Sequence, residues 1–173
     1  EFGIATYKTV DDFAQHEVNY VTAIGGIEIV TGRRLGDDLS IAQLTTEHDA
    51  VFVGIGLSGV NALGVNGEDD DAIANAVDFI ADLRQASDMA AIPVGRRVMV
   101  IGGGMTAIDV ATQAHLLGAQ EVTIAYRRGR EQMNASEVEQ NQSTSKGVNI
   151  RHWMQPVEVT KTDSGSLLVR MEY

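Results

Sequence analysis

The chain contains no cysteine among its 173 residues, which excludes disulfides and any iron–sulfur cluster held by its own thiolates. No apolar stretch approaches the length that crosses a bilayer. A secretory signal pattern is also missing, so the sequons Asn134-Ala-Ser136 and Asn141-Gln-Ser143 are expected to stay unglycosylated and a cytoplasmic setting is expected. Neither HExxH nor GxSxG occurs, and His16, His48, His115 and His152 are scattered. Each histidine is therefore read as a surface or satisfied core group, with no catalytic side chain and no metal ligand assigned. Basic charge is scarce in the first half. Residues 1–90 hold 4 Lys and Arg against 16 Asp and Glu, residues 91–173 hold 9 against 8, and the whole chain is at −11. That distribution argues against nucleic acid or an anionic membrane as the main partner and leaves a small anionic ligand open.

What is present is most informative at Arg97-Val-Met-Val-Ile-Gly-Gly-Gly-Met-Thr-Ala-Ile-Asp109. Val98 to Ile101 is short, β-branched and apolar, the pattern of a strand buried on both faces. Ile108, Ala111, Ala114 and Leu117, with Val110 and His115 beside them, then place small and apolar groups at helical spacing, giving one face to lie on a sheet. Gly102, Gly104 and Ala107 satisfy GxGxxA at that strand-to-helix junction. Gly102 would permit the tight turn, Gly104 would let backbone approach a diphosphate, and Ala107 would let helix and strand pack closely. The helix amino terminus, at Gly103, Met105 and Thr106, would face phosphates with free N–H groups and a positive dipole end. Glycine turns also serve purely structural strand–helix connections, so the flanking elements matter to the reading.

Gly118 is a helix stop, and Glu121-Val-Thr-Ile-Ala-Tyr126 is a second strand with Arg127-Arg-Gly-Arg130 directly after it. Nucleotide-binding units of this kind place the adenosine ribose there. A carboxylate selects NAD, whereas guanidiniums grip the 2′-phosphate of NADP. NADP is thus expected ahead of NAD. The alternative is a solvated basic turn pairing with Glu131, Glu137 or Glu139.

Elsewhere the chain, 44% hydrophobic, has enough apolar content for one large domain or two small ones. Val10 to Ala23 is expected to be helical, with Phe13, Val18, Val21 and Tyr20 on its apolar side and Asp11 or Thr9 as cap. Ile27 to Val30 and the buried run Asp49 to Gly54 are expected strands, separated by a short helix from Ile41 to Thr46. Gly54 and Gly56 form a second glycine-rich strand end, able to admit a ligand or simply to end the strand. Gly64, Gly67 and the acid run Glu68 to Asp71 make a loop. A helix should follow, with Ile73, Val77, Ile80 and Leu83 or Arg84 on one side and Asp69 to Asp71 at its start as dipole-favoured carboxylates rather than metal ligands.

Taken together, Tyr7-Lys8, Ile24-Gly-Gly-Ile27, Asp49-Ala-Val-Phe-Val-Gly-Ile-Gly56, Gly67-Glu68, Gly95 to Asp109 and Tyr126-Arg-Arg128 resemble the pyridine-nucleotide oxidoreductases of the glutamate synthase small-subunit type. Leu57-Ser-Gly-Val-Asn-Ala-Leu-Gly64 and Met105-Thr-Ala-Ile-Asp109 are closer to the branch that serves as electron-input subunit of dihydropyrimidine dehydrogenase. The resemblance implies an α/β fold in which a Rossmann-like NAD(P)-binding domain is inserted into a split FAD-binding domain. Residues 1–62 would be a partial flavin segment, 63–92 a connecting loop and helix, and 93–173 the nucleotide domain. It further implies that Gly102, Gly104, Thr106, Ala107, Arg127 and Arg128 contact the nicotinamide nucleotide, and that Gly54 and Gly56 lie beside FAD.

Hydride would pass from NAD(P)H to FAD, then on through iron–sulfur clusters to a catalytic partner subunit reducing a pyrimidine base. In the sister branch the electrons serve glutamate formation. Members of the family commonly carry Met-Pro-Ala where this chain has Met133-Asn-Ala135. The FAD fingerprint and a cysteine-rich cluster domain would both precede Glu1, so the chain is expected to be a piece of a longer one. On its own it should bind NADP weakly, hold no FAD tightly and be inactive. A non-catalytic NADP(H)-binding or assembly module is the alternative of another class.

Overall fold

The computed structural model describes residues 3–56 and 59–173, and the chain divides into two compact units, Asp12–Gly59 and the combination of Glu1–Asp11 with Val60–Tyr173. The smaller unit has two helices. Helix α1, Phe13–Thr22, starts from Asp12 in the left-handed region (φ 54°) without a side-chain cap, so neither Asp11 nor Thr9 performs the expected capping. Helix α2, Ile41–Glu47, is capped by Ser40, whose hydroxyl accepts from the Gln43 N–H. The expected strands at 27–30 and 49–54 do not form. Neither stretch joins a ladder, and Phe52 is 95% exposed. A strand buried on both faces needs neighbours along its edges and cover above and below, and two short helices supply neither. Leu57 and Ser58, part of the dihydropyrimidine-branch resemblance, lie outside the described residues.

The larger unit carries the nucleotide-type topology. Helix α3 spans Ala76–Gln85, followed by strand β1, Arg97–Ile101, helix α4, Met105–Leu116, and strand β2, Glu121–Tyr126. Helix α5, Glu137–Ser145, and strand β3, Asn149–His152, complete a parallel sheet of order β1-β2-β3, with Val100 beside Ile124 and Ile124 beside Ile150. A separate antiparallel hairpin follows, β4, Gln155–Lys161, and β5, Leu167–Glu172. Val100, Ala107, Ile108, Ala111, Ala114, Val122 and Ile124 form the centre of the core, with Ile80 of α3 joining them.

One expectation is extended here and two are corrected. Helix α4 lies against the sheet as expected and is covered on its other sides as well. Every residue from Ala107 to Ala114 is buried, because α3 and α5 flank it as well as the sheet. Small side chains allow that crowding. Thr112 bonds Ser143 at 3.1 Å and the Gln113 amide donates to Thr6 at 3.1 Å, while Gln113 Oε1 is buried with no partner among the described residues. Strand β1 is not buried on both faces. Met99 is 41% exposed; β1 lies at the edge of the sheet, and among the helices α4 is its main cover. The run Asp69 to Asp71 does not start a helix, which begins only at Ala76. Asp70 instead accepts from the Ala72 N–H at 2.9 Å and pairs with Lys161 of β4 at 3.1 Å, both of which hold its carboxyl below the ordinary range.

The loop before α3 is pinned to the same hairpin. Val159 donates its N–H to the Asn66 carbonyl at 2.8 Å. Gly67 follows at φ 82°, where a Cβ would lie 2.0 Å from the Val159 carbonyl oxygen. Only glycine fits that left-handed, close approach.

Candidate nucleotide site

The junction of β1 and α4 is built by three glycines with different duties. Gly102 leaves the strand at φ 144°, donates its N–H to the Ala125 carbonyl at 3.1 Å, and would place a Cβ 3.5 Å from that of Ala107. Gly103 is buried, and a Cβ on it would stand 2.5 Å from the Tyr126 ring. Its carbonyl accepts from the Ala135 N–H at 3.0 Å, so the Met133-Asn-Ala135 segment is fastened beneath the turn. Met133 and Ala135 are core residues, while Asn134, the departure from the family pattern, is exposed. Gly104 caps α4, and a Cβ on it would meet nothing within 4 Å. Its carbonyl takes the Ala107 and Ile108 N–H groups at 3.1 and 3.3 Å. Among the described residues, the N–H groups of Gly104, Met105 and Thr106 find no acceptor, and Met105 and Thr106 are exposed. An open approach, three unpaired donors and the positive end of a 12-residue helix coincide at that point, the makings of an anion cradle.

Arg127 and Arg128 leave β2 beside this turn. Parallel pairing sets Ile101 against Ala125, so the glycine turn and the basic turn open on the same edge of the sheet, about one strand spacing, ~4.8 Å, apart. Both arginines are exposed, and among the described residues neither has an ion-pair partner. Pairing with the nearby glutamates, the alternative left open by the sequence, does not occur. Glu139 is held by Lys8, and Glu131 turns in over Gly129. Arg130 is committed elsewhere, to Asn141 Oδ1 at 2.6 Å. Trp153, which no sequence pattern singles out, packs against Gly129 and donates its N–H to the Arg128 carbonyl at 3.3 Å.

Asp109 follows the glycine turn on α4 yet faces away from open space. It is buried, accepts from the Tyr7 hydroxyl at 2.6 Å and pairs with Lys8 at 2.8 Å. Lys8 also reaches Glu139 at 2.9 Å, and Lys146 sits 4.6 Å over the Tyr7 ring. Burial, then the bond and charge of Asp109, push the Tyr7 phenol up to about 12. Burial pulls Lys8 down, but its bonds to two carboxylates outweigh this and leave it above its ordinary value; Glu139 is lowered chiefly by Lys8. The cluster is a strap tying residues 7–8 to α4 and α5.

Gly54 and Gly56, expected beside a second ligand, lie in the smaller unit on the stretch that forms no strand. Gly56 has φ 68°, and a Cβ on Gly54 would lie 3.0 Å from the Phe52 ring. His16 and His48 are exposed, whereas His115 Nδ1 and His152 Nε2 are buried without partners. Among the described residues no three His, Asp or Glu side chains gather as metal ligands, and no helix is long and apolar enough to cross a membrane.

A model of the pyridine nucleotide-disulphide oxidoreductase family matches residues 4–172. The NADPH-Fe(3+) oxidoreductase subunit beta of Geobacter sulfurreducens is 32% identical over 91% of this chain and 23% of its own length. The glutamate synthase (NADPH) small chain of Escherichia coli is 31% identical over 96% of this chain and 37% of its own. The NAD-dependent dihydropyrimidine dehydrogenase subunit PreT of Escherichia coli is 33% identical over 91% and 37% respectively. The chain therefore spans between 23% and 37% of these relatives. Among solved structures, FprA from Mycobacterium tuberculosis superposes with a TM-score of 0.63 at 17% identity, covering 91% of this chain and 54% of that one. That likeness is one of fold.

Proposed function

The chain belongs to the pyridine nucleotide-disulphide oxidoreductase family, and from that premise we propose that its larger unit binds a nicotinamide dinucleotide, NADP ahead of NAD. The diphosphate is received by the turn from Gly102 to Ala107, with the free N–H groups of Gly104, Met105 and Thr106 as donors and Gly103 as the wedge that keeps the turn close to Tyr126. Arg127 and Arg128 receive the 2′-phosphate through charge-assisted bonds. The observation that carries this reading is the open space where a Gly104 Cβ would point, beside amides with nothing else to bind. Calorimetric titration tests it: NADPH and NADH should both give heat, NADPH binding more tightly. No heat from either on folded chain would refute it.

The wider role rests on family membership. Residues 1–62 belong to a flavin domain, 63–92 connect, and 93–173 form the nucleotide domain, with Gly54 and Gly56 on the flavin side. The glycine-favouring φ of Gly56 and the exposed apolar run Phe52, Val53 and Ile55 support that assignment. When bound, NAD(P)H would supply a hydride and FAD would provide the conversion from two-electron to one-electron transfer. The chain's own contribution is to hold and orient the nucleotide. The whole enzyme passes the electrons through iron–sulfur clusters in neighbouring domains or subunits to a partner that reduces a pyrimidine base, a branch supported by Met105-Thr-Ala-Ile-Asp109. Near-equal identity to the glutamate synthase small chain, 31% against 33%, favours glutamate formation as the second reading. Following NADPH oxidation by the whole enzyme with uracil or with glutamine plus 2-oxoglutarate distinguishes them.

A further inference from the structure

Trp153 is the single tryptophan of the chain, and its placement is unusual. It stands immediately after β3 with φ 60°, a left-handed backbone that bulky residues rarely adopt. Two hydrogen bonds hold that conformation, from the Trp153 N–H to the Arg128 carbonyl and from the Met154 N–H to the Tyr126 carbonyl at 3.0 Å. The indole packs on Gly129, where a Cβ would come within 2.9 Å of Cζ2. The same Cβ would come within 2.6 Å of Glu131 Oε1, so a larger residue at 129 would displace both that carboxylate and the ring. Yet the side chain is not buried by this effort: Trp153 remains 55% exposed. Among the described residues no cation stacks on its face, although two unpaired guanidiniums lie on the turn it packs against. A strained backbone, a glycine that leaves room for the ring and an indole more than half exposed describe a platform rather than a core residue.

The sheet fixes how far this platform is from the diphosphate cradle. Parallel register aligns Ile101 with Ala125 and Ala125 with Arg151, so the end of β3 is two strand spacings, roughly 10 Å, from the glycine turn. The basic turn lies between them. Cradle, guanidiniums and indole thus follow one another along one sheet edge in the order in which a 2′-phosphorylated adenine nucleotide presents diphosphate, ribose phosphate and base. We infer that Trp153 stacks on the adenine ring of the bound nucleotide and so helps set selectivity for adenine nucleotides, an inference that rests on the nucleotide site proposed above.

The lone tryptophan makes the test direct. With the 173-residue chain, 2′,5′-ADP should quench indole emission saturably, at the same concentrations at which calorimetry shows binding. Nicotinamide mononucleotide, which has no adenine, should leave it unchanged. Trp153→Ala should weaken 2′,5′-ADP binding roughly 5- to 150-fold, the range for loss of one base–aromatic stack, with Trp153→Phe recovering most of it. If 2′,5′-ADP binds the unaltered chain without changing emission, or binds Trp153→Ala as tightly, stacking is overturned while the nucleotide site stands. If it gives no heat with the unaltered chain, both fall.

Discussion

Gly103 and Gly104 are neighbours in one turn and answer to different demands. The first is glycine because the Tyr126 ring occupies the space of its Cβ, and that ring is anchored by a hydroxyl donating to the Gln132 carbonyl at 2.6 Å. Gly103→Ala should therefore cost about 1–3 kcal/mol, as overpacking does, measurable as a lower denaturant midpoint. The second is glycine with no atom of the described residues within 4 Å of where its Cβ would stand. Gly104→Val should fold with a near-unchanged midpoint and lose NADPH and NADH alike; if it binds them normally, the turn is structural only. Arg127→Ala and Arg128→Ala should each remove about 1.5–3 kcal/mol of NADPH affinity and leave NADH unaffected, as read by titration. Spacing alone located Gly102, Gly104 and Ala107, because the GxGxxA pattern states a backbone requirement. It could not locate Trp153, whose relevance depends on a strand pairing and a left-handed backbone that no local pattern encodes.

At the scale of elements, the strap of Tyr7 and Lys8 across α4 and α5 has a pH signature. The fold favours the protonated forms of both groups, so their contribution is whole below the ordinary phenol value of 10.0 and is lost as pH rises above it. Glu139 and Asp70 are shifted down, so theirs is whole at neutral pH and lost as pH falls through the carboxylate range. Melting temperature against pH should decline on both sides. Tyr7→Phe should flatten the alkaline limb and cost about 1.5–2 kcal/mol at neutral pH, the low part of the range for a bond to a charged group because the phenol is only partly buried. An unchanged alkaline limb would show the strap to be incidental. Helix α5 was legible in principle. Ser136 and Glu139 form a reciprocal capping box, the spacing that marks a helix start. The runs at 27–30 and 49–54 misled, because apolar, β-branched sequence specifies readiness to pair but not the presence of a partner.

At the scale of the molecule, the two units differ in what holds them. Helices α1 and α2 have no buried residue, whereas α4 is enclosed over Ala107 to Ala114. Amide hydrogens across 12–56 should exchange within the fastest class and those of α4, β1 and β2 in the slowest; slow exchange at 49–54 would show a strand pairing that the ladders of the described residues lack. The central claim concerns the larger unit: free backbone amides at the start of α4 receive a dinucleotide's diphosphate. The most direct measurement is an amide-resolved nitrogen–proton correlation spectrum of the chain during titration with NADPH. The signals of Gly104, Met105 and Thr106 should move together and saturate with the binding isotherm. Binding that leaves those three signals in place would contradict the claim.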